Sequence, residues 1–358
     1  MEQTEDILTI LNQMPCPAFL VKNGVISDAN SPAVRCSLEP GCRIEDILDT
    51  GAQEYADFQN GCLYLTLNVC GKSCGASVTH GTGFDIFILE QEEDQQELQA
   101  MALAAQHLRI PLSNVMTIAD RLFPLSNTED DPLASEQIAR INRGLFQMLR
   151  IVSNMSDAYR YSQDTAPRME IRDVGSILEE LFRTSAELIR YADIQLQFMN
   201  LPEPIYCLVD AEKLERAVSN IISNALKFTP KGGTILARLT QKNKMLYLTV
   251  QDSGTSFSGS SLYNQFKRRP GIEDSRFGVG LGMVLVRSAA AAHGGTVLIE
   301  QHPEHGTRIT MTLAIRQNTN STVRCSILPV DYAGERDHQL LELADSLPVE
   351  LYGSERIN

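Results

Sequence analysis

Asn220-Ile-Ile-Ser-Asn224-Ala-Leu-Lys227-Phe-Thr-Pro-Lys-Gly-Gly, followed by Asp252-Ser-Gly254 and by Phe277-Gly278-Val-Gly280-Leu281-Gly282, is the part of this 358-residue chain whose reading decides the fold. Asn220, Asn224 and Lys227 are spaced i, i+4, i+7, so on a helix they share one face. Val218, Ile221, Ile222 and Leu226 take the remaining core side. Asp252 closes an apolar run from Met245 to Val250 and opens a Ser-Gly turn. Gly278, Gly280 and Gly282 lead into a helical stretch. Glycines let backbone N–H groups approach anionic oxygens, and the start of a helix adds a favourable dipole. An amide oxygen is a hard ligand suited to Mg2+, which keeps several of its waters, and a nearby lysine can hold a phosphate. A strand-end carboxylate can accept a hydrogen bond from an adenine amino group. Taken singly, two asparagines can be a solvated face and Asp252 a routine turn residue. Their order and spacing together describe a nucleotide pocket.

The bulk properties narrow the field. At 43% hydrophobic and 21% charged residues, the composition is that of a soluble globular protein, long enough for two or three domains. The formal net charge of -14 argues against a nucleic-acid substrate and against an anionic membrane surface. No stretch approaches the roughly 20 apolar residues of a membrane span. The N-terminus, Met1-Glu-Gln-Thr-Glu-Asp, lacks the basic start of a secretory signal, so a cytosolic location is expected. Cys16, Cys36, Cys42, Cys62, Cys70 and Cys74 crowd the first 74 residues. In a reducing compartment they read as small apolar fillers, and Cys70-Gly-Lys-Ser-Cys74 lacks a zinc spacing.

Residues 1–92 read as a small α/β domain of five short strands with a helical middle. Its first hairpin turns at Asn23-Gly24. Phe19-Leu-Val with Gly24-Val-Ile-Ser-Asp-Ala-Asn30 resembles the PAS sensor fold, which implies a sensing or dimerising module. Glu90-Gln-Glu-Glu-Asp-Gln-Gln-Glu97 reads as a solvated helix joining this domain to the next. Residues 93–165 form a helical hairpin. Leu108, Leu112, Val115, Ala119 and Leu122 mark one face of its first helix. Ile138, Ile141, Leu145, Met148, Val152, Met155 and Tyr159 step by three and four along the second. This seam is wider than one partner can cover, so a dimeric four-helix bundle, hence a homodimer, is expected.

Residues 166–316 alternate helices with strands as in an α/β sandwich with a mixed sheet, and Asp210 is placed to cap the helix that carries Asn220. This segment resembles the ATP-binding domain of sensor histidine kinases. The resemblance implies ATP and Mg2+ as cofactors, with Asn224 ligating the metal, Lys227 on phosphate and Asp252 on the adenine. Asn220, Gly254, Gly278, Gly280, Leu281 and Gly282 complete the implied cofactor-binding set. Tyr263 and Phe266 resemble the aromatic pair preceding the lid, and Gly306-Thr307 the closing turn. Ser256 stands where the family has a glycine. The whole chain is thus expected to be an α+β multidomain protein, with a C-terminal extension, 317–358, whose helix carries Leu340, Leu343, Ala344 and Leu347 on one face.

The hairpin resembles the family's dimerisation and phosphoacceptor domain at Ala105-Gln106-His107-Leu108-Arg109-Ile110-Pro111-Leu112. Aligned there, the acceptor histidine falls on Gln106 and the neighbouring carboxylate on His107. One residue of offset turns a side chain about 100° round the helix. His107 is the hairpin's only histidine and so the candidate phosphoacceptor. Two functions follow. The first is a histidine kinase passing the ATP γ-phosphoryl to His107 and on to a response regulator. The second is an inactive ATP-binding pseudokinase that regulates a partner kinase or response regulator.

Overall fold

The computed structural model describes residues 11–81, 83–90, 92–122, 132–162, 168–254, 281–302, 306–316 and 337–353. Strands β1 (Ala18–Lys22) and β2 (Val25–Ala29) form the hairpin that Asn23-Gly24 calls for. Both turn residues have positive φ, 51° and 75°, as a two-residue turn matched to the strand twist requires. Asn30 is wholly buried and ties the strand ends together. Its Oδ1 accepts from Ala18 N and from Ala33 N, both at 3.0 Å, and so caps α1 (Ser31–Arg35). Its Nδ2 donates to the Cys16 carbonyl at 2.8 Å. After α2 (Ala52–Asp57), strands β3 (Cys62–Val69), β4 (Lys72–Gly81) and β5 (Phe84–Leu89) complete an antiparallel sheet in the order β2-β1-β5-β4-β3. Phe19 stacks on Phe87 at 5.0 Å in its core, and Cys36, Cys42 and Cys74 pack against that core.

Helices α3 (Glu92–Leu122) and α4 (Pro132–Ser162) are the two arms of the hairpin. The stripe that α3 buries shares Leu112 and Ala119 with the expected one but is turned from it. Ala105, Leu112, Met116 and Ala119 are buried, whereas Leu108 and Val115 are about half exposed, at 51% each. At 100° per residue the buried stripe lies about 40° round the helix from the expected one. On α4, Ile138, Leu145 and Val152 are buried, while Ile141 and Met148 are exposed. The seam therefore divides into a covered row and an uncovered row. Pro111 sits inside α3, where it cannot donate to the His107 carbonyl.

The next unit places α5 (Val174–Ile189), α6 (Ala211–Phe228) and α7 (Leu281–Ala292) against a mixed sheet. Its strands are β7 (Gln195–Met199), β9 (Thr234–Lys242), β10 (Met245–Asp252), β11 (Val297–His302) and β12 (Gly306–Ala314), with β7 parallel to β9 and the other pairs antiparallel. A separate pair, β6 (Glu170–Asp173) with β8 (Tyr206–Val209), was only half legible: β6 has no apolar run to announce it. The C-terminal segment contributes α8 (His338–Glu342) and a short 3-10 turn, Val349–Tyr352. It packs on α4 as well as on α5 and α6. Leu340, Leu343, Leu347, Leu351 and Tyr352 are buried there, and the Tyr352 ring meets Phe146 edge-on at 5.4 Å.

One pairing joins the two sheets. Strand β3 runs antiparallel to β11, with Tyr64 opposite Val297, Leu63 opposite Leu298 and Cys62 opposite Ile299. The result is a continuous ten-stranded sheet, β2-β1-β5-β4-β3-β11-β12-β10-β9-β7. Cys62 and Tyr64 belong to the core of the α5–α7 unit, and Leu298 packs into the N-terminal core. Around this seam Lys242 Nζ meets Asp57 at 3.1 Å and Tyr247 Oη donates to Glu54 at 3.3 Å. The Arg287 guanidinium lies 3.2 Å from Glu90 and over the Tyr64 ring. Gly61, at φ 91°, admits the close approach, since a Cβ there would overlap the Ile299 carbonyl. A Gly61→Val substitution is expected to destabilise the protein by more than the roughly 1–2 kcal/mol of left-handed strain alone. Hydrogen exchange should rise at the amides of 62–64 and 297–299 together; a rise confined to one strand would refute the coupling.

Candidate nucleotide site

Helix α6 starts where its sequence says it should. Asp210 Oδ1 accepts from Lys213 N at 3.1 Å, and Oδ2 from Arg168 N at 2.9 Å. Asp210 N donates to His293 Nε2 at 3.0 Å, so the His293 proton is on Nδ1, which donates to the Ala289 carbonyl. Burial pushes the His293 pKa below its ordinary value, in keeping with this neutral ring. His293 is thus a structural link between α6 and the end of α7.

The apolar side of α6, Leu214, Ala217, Val218, Ile221, Ile222 and Leu226, is buried as expected. Its polar stripe is covered too. Asn220 is 1% exposed; its Nδ2 donates to the Arg216 carbonyl at 2.8 Å, and its Oδ1 accepts from Arg150 Nη2 at 3.4 Å. Gly282, in the first turn of α7, lies so close that a Cβ would stand 2.7 Å from Asn220 Oδ1. Asn224 donates its Nδ2 to Met283 Sδ at 3.4 Å, which leaves Oδ1 as the ligand atom it can offer. Lys227 Nζ lies 3.6 Å from Asp345 Oδ2. The Leu281 side chain is buried with Leu98, Ala158 and Tyr161 of the hairpin.

At the other end of the site, Asp252 is buried at 6% exposure. Its Oδ1 accepts from Gly254 N at 2.8 Å and Thr307 N at 3.2 Å. Burial raises its pKa above the usual 3.8, against the opposing pull of those two hydrogen bonds. Gly254 has no room for a Cβ, which would overlap the Phe228 carbonyl at the end of α6. Among the described residues nothing donates to Asp252 Oδ2, and the buried Thr307 Oγ1 has no partner. A buried acceptor beside an orphaned hydroxyl suits an amino-bearing heterocycle. An amide oxygen and an ammonium along the same helix suit a hydrated Mg2+ and phosphates. The donor set fits Mg-ATP.

The structure therefore brings Asn220, Asn224, Lys227, Asp252, Gly254 and Gly282 together around α6. Gly278, Gly280, Ser256, Tyr263 and Phe266 lie outside the described residues. Met283, Arg150 and Asp345 were not foreseen, because nothing in their local sequence marks them. The Thr307 hydroxyl was foreshadowed only by its place in Gly306-Thr307. On the hairpin, Gln106 and Arg109 line a groove of about 580 Å³ with Val152, Ser156, Tyr159 and Arg160. His107 is exposed and is not among the lining residues.

Residues 209–317 match the family of histidine kinase-, DNA gyrase B-, and HSP90-like ATPases. The chain is 26% identical over 243 residues to the sensor histidine kinase WalK of Bacillus subtilis, covering 64% of this chain and 39% of the relative. It is 29% identical over 248 residues to the histidine protein kinase DivJ of Caulobacter vibrioides, covering 63% and 40%. With hybrid signal transduction histidine kinase D of Dictyostelium discoideum it shares 28% identity over 242 residues, 64% of this chain and 15% of that one. The chain thus spans less than half the length of these relatives. The crystal structure of full-length ShkA with AMPPNP shares the fold at a TM-score of 0.50 and 19% identity, over 62% of this chain and 46% of that one. No helix among the described residues is long and apolar enough to cross a membrane. The α6 stripe, the Asp252 turn and the matched segment agree: residues 209–317 form a histidine kinase-, DNA gyrase B-, and HSP90-like ATPase domain, in a chain that is similar to sensor histidine kinases.

Proposed function

We propose that the chain is an ATP-binding signalling protein of the two-component type. A PAS-like domain, 1–92, takes the signal; the hairpin, 93–165, dimerises as a four-helix bundle; the domain 166–316 binds Mg-ATP; of the extension 317–358, residues 337–353 pack on both. The observation that carries the reading is Asp252, buried with one oxygen that accepts no hydrogen bond among the described residues, beside a buried Thr307 hydroxyl that has no partner among them. Asp252 and Thr307 hold the adenine, Asn224 the metal and Lys227 a phosphate. Dimerisation is supported by the uncovered row of Leu108, Val115, Ile118, Ile141 and Met148, which a second copy would bury.

As a protein-histidine kinase, the chain takes the γ-phosphoryl of ATP onto a nitrogen of His107 as the bond to the β,γ-bridging oxygen breaks and ADP leaves, and the N–P bond then breaks as the phosphoryl passes to an aspartate of a response regulator. Such transfer is governed by positioning and electrostatics, so the face His107 occupies decides the rate. A second reading, a pseudokinase that acts on a partner by conformation, is favoured by one observation: Gln106 faces the interhelical groove and His107 does not line it.

Mg-ATP at about 100 times its Kd should stabilise the protein by about 2.7 kcal/mol, and no melting shift at saturating nucleotide would contradict the site. Asp252→Asn should abolish that shift. Because burial raises the Asp252 pKa in the folded state, its carboxyl is harmless below the ordinary 3.8 and costs stability as pH rises through the folded value. The ligand-free Asp252→Asn protein should therefore melt above wild type at neutral pH, with the gap closing on acidification. Labelled ATP should give an acid-labile label that His107→Gln removes and that Gln106→His with His107→Glu restores. Label that survives His107→Gln would exclude that acceptor, and an unlabelled wild type would leave the pseudokinase reading.

A further inference from the structure

The C-terminal segment brings carboxylates to the polar stripe of α6. Asp345 Oδ2 accepts from Arg150 Nη1 at 2.5 Å and lies 3.6 Å from Lys227 Nζ. Glu342, 1% exposed, pairs with Arg216 one step along the stripe. Arg150 comes from hairpin helix α4, is itself 5% exposed, and reaches Asn220 of the nucleotide motif at 3.4 Å. Arg150 and Lys227 therefore converge from two different elements on one carboxylate oxygen. Two cations converging on an anionic oxygen, one of them on the helix that also carries Asn224, form a site with the charge and donors of a phosphate subsite.

The attachment of the segment does not depend on that carboxylate. Leu340, Leu343, Leu347, Leu351 and Tyr352 bury its apolar side. Arg143 and Gln147 of α4 donate to the backbone carbonyls of Ala344 and Asp345 at 3.1–3.2 Å. Asp345 is at the rim, with its side chain 26% exposed. The anchor is this apolar side, these main-chain contacts and the buried Glu342–Arg216 pair; the Asp345 carboxylate is spare to it and placed on Lys227 of the nucleotide motif.

We propose that Arg150 is a phosphate-binding residue contributed by the hairpin to the nucleotide site, and that Asp345 is a built-in competitor occupying the Arg150–Lys227 pair in place of a phosphate. The inference rests on the reading of the site as one for Mg-ATP. A nucleoside triphosphate has to displace the Asp345 carboxylate, whereas a nucleoside without phosphates does not reach it. Nucleotide binding and release of Asp345 are then two sides of one equilibrium.

The test compares ATP and adenosine binding by titration calorimetry on the full chain, with Mg2+ present. Asp345→Asn removes the charge and keeps the shape. It should tighten ATP roughly tenfold, the worth of about one charge-assisted hydrogen bond, and leave adenosine unchanged. Adding Arg150→Gln should cancel that gain; melting curves of each variant report whether the fold is kept. Equal ATP affinity in wild type and Asp345→Asn overturns the proposal while leaving the nucleotide site intact. Weaker ATP binding by Asp345→Asn also overturns it and makes the carboxylate a metal or phosphate-side partner instead. Binding of neither ligand to any variant overturns the nucleotide site and the proposal with it.

Discussion

Helix α6 has to bury both of its faces, and its polar face carries a guanidinium. Arg216 is 2% exposed. An ion so far from water needs partners, and removing one from a buried pair costs about 3–5 kcal/mol. Its partners come from outside the sheet unit: Asp157 of α4 at 2.7 Å, Asn154 beside it at 2.9 Å, and Glu342 of the C-terminal segment. The requirement to pair Arg216 thus draws the hairpin and the tail onto the same helix that carries Asn224 and Lys227. Arg150, equally buried, repeats the arrangement one turn further on with Asp345 and Asn220.

A second constraint acts at the sheet. Strand β3 ends the antiparallel sheet and β11 ends the mixed one, and each open edge would present unpaired N–H and C=O groups. Pairing the two edges satisfies both. It also ties the N-terminal unit to the ATPase unit by main-chain hydrogen bonds, with Arg287 of α7 reaching across to Glu90 where α3 is about to begin. A change in the N-terminal unit therefore has a direct route to α7, whose first turn adjoins Asn220, besides the route along α3.

The local features were legible because they are written in neighbouring residues. The Asn23-Gly24 turn, the Asp210 cap, the apolar and polar sides of α6 and the Asp252-Ser-Gly254 turn each follow from side chains within one helical turn or one β-turn. Most of the candidate site was legible on the same grounds, since Asn220, Asn224 and Lys227 are set by one helix and Asp252 by one strand end. The helix face on α3 was misjudged by about 40° because two apolar rows lie side by side on it, and periodicity alone does not say which row the same chain covers.

What the sequence alone determined is therefore the set of elements and the chemistry each one carries. The tertiary structure decided three things: the β3–β11 junction, the docking of the tail, and the burial of Asn220 under Arg150. Backbone edges pair by hydrogen bonds that carry no side-chain signature. A buried arginine accepts a carboxylate from any segment that can reach it, so Asp345, 195 residues from Arg150 in the chain, is found only when the fold places them together.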